Sequence, residues 1–301
     1  MLTPIPNTND AGAPTCAPPD FTPRKPRIVL PAYSCDCHAH ILGPVARYAY
    51  SGDRIYTPPD CLLADYRAML AMLGVERAVL VQPSVYATDN TVLLAALREG
   101  GTAFRGVAVV ERMIGDDELQ SMHAAGVRGV RVNVVDVKAG AGTLPLDQLR
   151  RVAKRIAPLG WHMELLMHVD EFHELDRDFA DFPVDIVFGH MGYMRTTNSL
   201  AAPGFQALLR LLAAGRAWVK LTGPYRISTG ALPYADVTAF AKKLIEVAPQ
   251  RVLWGSDWPH VMLKGAMPND GDLADLLGTW IPDAAQRRMV LVDNPARLYG
   301  F

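Results

Sequence analysis

Arg77-Ala78-Val79-Leu80-Val81-Gln82 places four aliphatic residues in a row between a cation and an amide. A strand with one wet face alternates apolar and polar residues. An unbroken apolar run this short suits a parallel strand buried on both faces. Val107-Ala108-Val109-Val110 repeats the pattern. Working outward, β-rich runs recur at 33–38, 77–82, 104–110, 129–134, 162–168, 184–188, 217–221 and 252–255, with helical stretches between most of them. The first helix follows Pro59-Asp60, sets Leu63, Tyr66, Leu70 and Leu73 on one face, and ends at Gly74. Others are expected at 90–98, 117–124, 145–157, 204–213, 234–247 and 271–279, with a last one at 284–291 closing the chain before Asn294-Pro295. Strand–helix units repeated around eight times predict an α/β fold of the (β/α)8 TIM barrel type, whose usual size is about 250 residues. A doubly wound open sheet is the alternative, but it favours a glycine-rich loop after the first strand, and Gly43-Pro44 is not that loop. Residues 1–30 carry Pro4, Pro6, Pro14, Pro18, Pro19, Pro23 and Pro26, which forbid regular helix, and read as an extended N-terminal arm; residues 31–301 read as the single barrel domain.

The chain has 301 residues, with 30 Lys and Arg against 31 Asp and Glu, so it offers no basic field for nucleic acid or an anionic membrane. No apolar stretch is long enough to span a bilayer. The start lacks a basic segment followed by an apolar one, so no signal peptide is expected. Cys16, Cys35, Cys37 and Cys61 form no paired CxxC pattern and read as reduced thiols, which points to the cytoplasm. A proline-rich arm can wrap a neighbouring copy, so a homo-oligomer is left open.

The active end of such a barrel is the carboxyl end of its strands. There the first run ends Cys35-Asp36-Cys37-His38-Ala39-His40, and side chains two apart on a strand share a face, so His38 and His40 should converge. The other runs deliver Gln82-Pro83-Ser84, Arg131 and Asn133, His168, His190, Lys220 followed by Tyr225-Arg226, and Asp257 in Gly255-Ser256-Asp257-Trp258-Pro259-His260. A purely structural barrel end does not need four histidines and an aspartate. His162 is better read as a structural histidine, His123 and His173 as surface residues, Asp36 as a structural partner, and Lys220 as snorkelling or paired with a buried carboxylate.

These residues carry a resemblance. The HxH motif, Gly189-His190-Met191-Gly192, Lys220-Leu221-Thr222-Gly223-Pro224-Tyr225-Arg226 and Gly255-Ser256-Asp257-Trp258-Pro259-His260 resemble the amidohydrolase superfamily, and more closely its 2-pyrone-4,6-dicarboxylate hydrolase branch. The likeness extends over nearly the whole chain after the arm. It implies a carboxylic ester hydrolase, a lactonase opening the ring of an anionic lactone in the breakdown of aromatic compounds. Asp257, His190, His38 and His40 would be catalytic, and Tyr56, Ser84, Arg131 and Arg226 substrate contacts. In that scheme Asp257 takes a proton from water, His190 aided by the strand-one histidines polarises the carbonyl, and the arginines hold a carboxylate or sulfonate.

Two departures bear on the substrate. Val137, followed by Lys138, stands where the family has a second arginine, and Tyr193, with Arg195 two further on, stands where it has another. A tyrosine cannot supply the two parallel bonds of an arginine fork. A related lactone such as a substituted muconolactone is therefore expected rather than a simple pyrone dicarboxylate. The branch resembles a metal-free version of the superfamily, whereas metal-dependent relatives use HxH, a strand-five histidine and the aspartate. Since His168 is present, one divalent ion is expected, zinc by donor type, on His38, His40, His168 and Asp257. The rivals are a metal-dependent non-oxidative decarboxylase of an aromatic acid and a lactone isomerase.

Overall fold

A computed structural model describes residues 12–111, 113–135 and 144–301. Eight parallel strands form one sheet in sequence order: β1 (Cys35–Ala39), β2 (Arg77–Val81), β3 (Phe104–Ala108), β4 (Val127–Asn133), β5 (His162–Leu166), β6 (Ile186–Phe188), β7 (Ala217–Leu221) and β8 (Val252–Trp254). The first and last meet through backbone bonds beyond β8, with Asp257 N–H donating to the His38 carbonyl at 2.8 Å and His40 N–H to the Trp258 carbonyl at 2.8 Å. The sheet is thereby rolled into a nearly closed (β/α)8 barrel, with the helices outside it. The bonds that close the cylinder are also the ones that place Asp257 beside the HxH segment.

Two apolar layers hold the barrel. Cys35, Cys37, Val79, Val81, Val107, Val187, Trp218 and Leu253 pack with Tyr299 in one cluster, and a larger shell of buried aliphatic and aromatic side chains fills the space between strands and helices. All four cysteines are free thiols. The helix foreseen from Pro59 begins at Leu63 and buries Leu63, Tyr66, Leu70 and Leu73 as its spacing requires, ending at Gly74 in the left-handed conformation.

The chain end differs from expectation. The helix 284–291 was to be the last, but a further helix spans Asn294–Tyr299, joined to Ala284–Arg288 through a π-type turn at Met289–Asp293. Pro295 does not stop it, because proline in a first turn lacks an N–H that would have been unpaired anyway. Within the described residues the arm docks on its own barrel. Thr15 pairs with Thr57, and Arg24 and Arg27 bond Asp275 on the helix Asp270–Trp280.

Candidate active site

Alternation alone does not explain how His38 reaches the site. Asp36 receives the Tyr66 hydroxyl at 2.9 Å, on the helix side of β1, so strict alternation would send His38 outward with it. The pairing of β1 with β2 shifts register between Asp36 and Ala39. Such an irregularity re-aims side chains. Past it, His38 faces Glu164 of β5 and Lys220 of β7 across the barrel. Asp36 is a structural anchor, tying β1 to the Ser256 backbone at 2.9 Å and to the Ser256 hydroxyl.

The floor of the site is fully buried. His38, His40 and Asp257 offer ligand atoms that all lie within 4.8 Å of one another. Their polar partners fix the direction of each proton. Glu164 Oε1 lies 3.2 Å from His38 Nδ1 and is an ionised acceptor: burial would push it up, but the Lys220 ammonium, 2.5 Å from Oε2, holds it well below its usual range. Lys220 Nζ also lies 3.4 Å from Nδ1, but it is turned to Glu164 at 2.5 Å, so Glu164 Oε1 takes the Nδ1 proton and His38 presents a lone pair at Nε2. His40 Nδ1 lies 2.7 Å from the Val81 carbonyl, which can only accept, so His40 also turns a lone pair to the centre. His190 is the opposite case. The Thr222 hydroxyl oxygen accepts from the His190 backbone N–H at 3.2 Å and lies 2.9 Å from Nδ1, to which it gives its own proton. That leaves an N–H on His190 Nε2.

This pattern revises one expectation. The strand-one histidines do not present N–H groups to a carbonyl; His190 alone does. Burial, together with the charge of Lys220 on His38 and that of Arg131 on His40, lowers both strand-one imidazoles; burial also lowers His190. For Asp257 burial acts upward, but the Arg226 guanidinium outweighs it and holds the carboxyl well below the ordinary carboxylate range. Arg226 Nε donates to Asp257 Oδ2 at 2.5 Å, and Tyr225 donates to the same oxygen at 2.7 Å. Oδ1 has no hydrogen-bond partner, nor does His38 Nε2, and the two lie 3.7 Å apart.

Local backbone makes this possible. Asp257 and His190 sit at φ 66° and 46°, a region that costs a non-glycine residue about 1–3 kcal/mol and is concentrated at functional sites. Gly223, at φ 55°, is obligatory: a Cβ there would lie 2.7 Å from Asp257 Oδ2 and 3.0 Å from His190 Nδ1.

Above the floor a cavity of about 310 Å³ is lined by His40, Tyr56, Ser84, Arg131, His190 and Arg226, among others. The structure thus gathers the sequence candidates, with two corrections. His168 is not brought to the cluster: the donor group among the described residues is His38, His40 and Asp257. Strand β5 ends at Leu166 and the chain turns at His168 into Val169–Glu171, so strand alternation no longer aims the ring; its Nδ1 lies 3.1 Å from the Tyr193 carbonyl instead. Arg226 is not a free substrate fork either. Its Nε serves Asp257, and Nη2 serves the Val261 carbonyl at 3.1 Å, so it acts first as the counter-charge of the carboxylate. Arg195 cannot substitute for the missing family arginine, because it is engaged with Asp170 at 2.8 Å and Glu171 at 2.5 Å. Val137 and Lys138 lie outside the described residues.

Sequence reasoning gave Glu164 and Thr222 no role. A glutamate in the middle of His162-Met163-Glu164-Leu165-Leu166 was the available signal, since a charge inside a buried strand needs a partner. Thr222 carried no such mark. The donor set fits a cation: two imidazole lone pairs and an unpartnered carboxylate oxygen converge with no proton donor among them.

A barrel with an HxH strand end, a histidine after β6 and an aspartate after β8 has the architecture of a hydrolase that activates water at its carboxyl rim. The chain belongs to the amidohydrolase family, whose model matches residues 35–301. It is similar to a 2-pyrone-4,6-dicarboxylate hydrolase of Comamonas testosteroni, at 40% identity over 92% of this chain and 93% of that one. A 4-sulfomuconolactone hydrolase of Rhizobium radiobacter is 37% identical over 97% of this chain and 98% of its own length. Among solved structures, an apo protein of Agrobacterium tumefaciens superposes with a TM-score of 0.82 at 29% identity, covering 92% of this chain and 98% of that one.

Proposed function

We propose that the protein opens the ring of an anionic lactone from aromatic compound breakdown, with Asp257 as the general base. The observation that carries this reading is the buried Asp257, held as a carboxylate with Oδ1 unpartnered 3.7 Å from His38 Nε2, and bonded through Oδ2 to Arg226 and Tyr225, which line a cavity with His40, His190 and Arg131. Water held beside Oδ1 gives it a proton as the water oxygen attacks the ester carbonyl. His190 Nε2–H donates to the carbonyl oxygen as negative charge develops there. The tetrahedral intermediate collapses, and Asp257 returns the proton to the leaving ring oxygen, so the carboxylate is regenerated.

Arg131, Tyr56 and Ser84 hold the anionic substituent. Arg131 keeps one bond to the Gln82 carbonyl at 3.1 Å and lines the cavity. With Tyr193 in place of one family arginine, Arg195 engaged elsewhere and Arg226 serving Asp257, the pocket suits anionic groups placed differently from the two carboxylates of a pyrone dicarboxylate. A substituted muconolactone, carboxylated or sulfonated, is the substrate this favours over a pyrone dicarboxylate.

His38 Nε2, His40 Nε2 and Asp257 Oδ1 would hold one divalent ion, with zinc the best match to two imidazoles and a carboxylate. When bound, such an ion acidifies water and polarises oxygen. No helix of the described residues is long and apolar enough to cross a membrane. The free thiols favour a cytoplasmic setting.

The test is a pH-indicator screen of anionic lactones including 4-sulfomuconolactone and 2-pyrone-4,6-dicarboxylate. The expected product is heavier than the substrate by one water, with one proton released. A product of unchanged mass would make the protein an isomerase, and carbon dioxide release a decarboxylase. Metal content, with activity before and after chelation, decides the ion.

A further inference from the structure

The chemistry above uses Asp257 Oδ1, and it depends on Oδ2 being held still. One of the two groups holding Oδ2 is the Tyr225 hydroxyl, and that hydroxyl has a second contact. Its oxygen lies 2.8 Å from His260 Nδ1, and on the far side of the ring His260 Nε2 lies 3.2 Å from Asp270 Oδ1. His260 and Asp270 are each only 1% exposed, and neither Asp270 oxygen has any hydrogen-bond partner. A buried carboxylate with one neighbour is costly unless that neighbour satisfies it. Neither residue touches the cavity.

Counting protons gives the contact a direction. Asp257 Oδ2 already accepts the Arg226 Nε–H at 2.5 Å, so it faces the tyrosine as an acceptor. If the Tyr225 proton pointed at His260, two bare oxygens would face each other at 2.7 Å. The proton therefore points at Asp257. The Tyr225 oxygen must then accept from His260, so the ring carries a proton on Nδ1. Three contacts in series, through His260 and the Tyr225 hydroxyl, run from Asp270 to the reacting carboxylate.

We propose that His260 and Asp270 are positioning residues for Asp257, acting through the Tyr225 hydroxyl; the inference rests on Asp257 being the base. His260 sits at φ 61°, a conformation an ordinary turn does not need. Asp270 opens the helix Asp270–Trp280, and the N-terminal arm covers it. Arg24 N–H donates to Asn269 Oδ1 at 3.0 Å, Asn269 Nδ2 reaches Asp20 at 2.7 Å, and a Cβ on Gly271 would lie 2.2 Å from the Arg24 carbonyl oxygen. The arm thus helps seal from water the end of a chain of contacts that finishes at the catalytic carboxylate.

The test combines kinetics with a spectrum that needs no substrate. Tyr225→Phe and His260→Gln should each lower kcat roughly tenfold or more, as for loss of a bond to a charged group, with KM nearly unchanged. Gln can still meet Asp270 but not the tyrosine oxygen. The double variant should be no slower than Tyr225→Phe alone, because the two act in series. His260→Asn, whose amide N–H stands where Nδ1 stood, should recover most of the loss. Additive losses, a change confined to KM, or equal damage from Asn and Gln would overturn the proposal. In the resting protein, the 15N spectrum of labelled histidine should show a proton on His260 Nδ1, and a bare Nδ1 would overturn it as well. Failure of the unaltered protein to open any lactone would remove the hydrolase reading, and the spectrum would still decide the proton arrangement.

Discussion

The floor and the wall of the cavity are built on opposite plans. On the floor, nearly every polar atom of His38, Asp257, Arg226, Glu164 and Lys220 is bonded to another protein group, and only His38 Nε2 and Asp257 Oδ1 are left for a reactant. On the wall, Arg131, Tyr56 and Ser84 face the cavity with bonding capacity to spare. A saturated floor fixes protonation states and directions before substrate arrives. An unsaturated wall selects what arrives. Substitutions on the floor should therefore change kcat, and those on the wall KM.

The largest effect on turnover is expected from Asp257→Asn, which keeps shape but removes the base: kcat should drop by roughly 10²–10⁴-fold or more. Near-normal turnover would break the division at once. Next is Glu164→Gln, which strands the buried Lys220 charge and frees the His38 proton. Breaking a buried pair by removing one partner costs about 3–5 kcal/mol, so chemical denaturation should show a lower midpoint and kcat should fall with it. An unchanged midpoint would mean that the pair is not the support it looks like.

Arg131→Met should raise KM roughly ten- to a hundredfold, the worth of a charge-assisted bond, with a far smaller change in kcat. A loss confined to kcat would move Arg131 to the floor. Tyr193→Arg restores the charge seen elsewhere in the family and should shift preference toward dicarboxylated lactones, read as the ratio of kcat/KM on 2-pyrone-4,6-dicarboxylate to that on 4-sulfomuconolactone. An unchanged ratio would exclude Tyr193 as a selector.

The smallest effect is one of pH. Burial lowers His38, His40 and His190 below the ordinary 6.5, and Arg226 keeps Asp257 low in spite of burial. Lowered values mean that the neutral imidazoles and the carboxylate persist as pH falls. The kcat/KM profile should stay flat from pH 8 through 6.5, with its acid limb below that. The same sign applies to stability: the contribution of these imidazoles is present above 6.5 and is lost as pH falls through their folded values. An inflection near 6.5 would show an ordinary, solvated histidine in control.

The difference in plan also explains what the sequence revealed. Eight apolar runs and their helices could be read because parallel strands are buried on both faces. The HxH pair, His190 and Asp257 stood out as ionisable residues at strand ends. The register shift in β1 left no trace in composition, and neither did the proton directions, which depend on Val81 and Thr222, residues with nothing unusual in their local sequence. His168 was placed among the ligands because the run was read to 168, two residues past the end of β5, and the resemblance called for a strand-five histidine. The bond from Arg226 to Asp257 was not legible, because a motif names a residue and not its partner.

The most direct measurement is a crystal structure of the Asp257→Asn variant with an anionic lactone bound. The account expects the anionic group on Arg131, Tyr56 and Ser84, the ester carbonyl oxygen on His190 Nε2, and the carbonyl carbon facing the Oδ1 side of residue 257. A lactone held by Arg226 with its carbonyl turned away from His190 would contradict it.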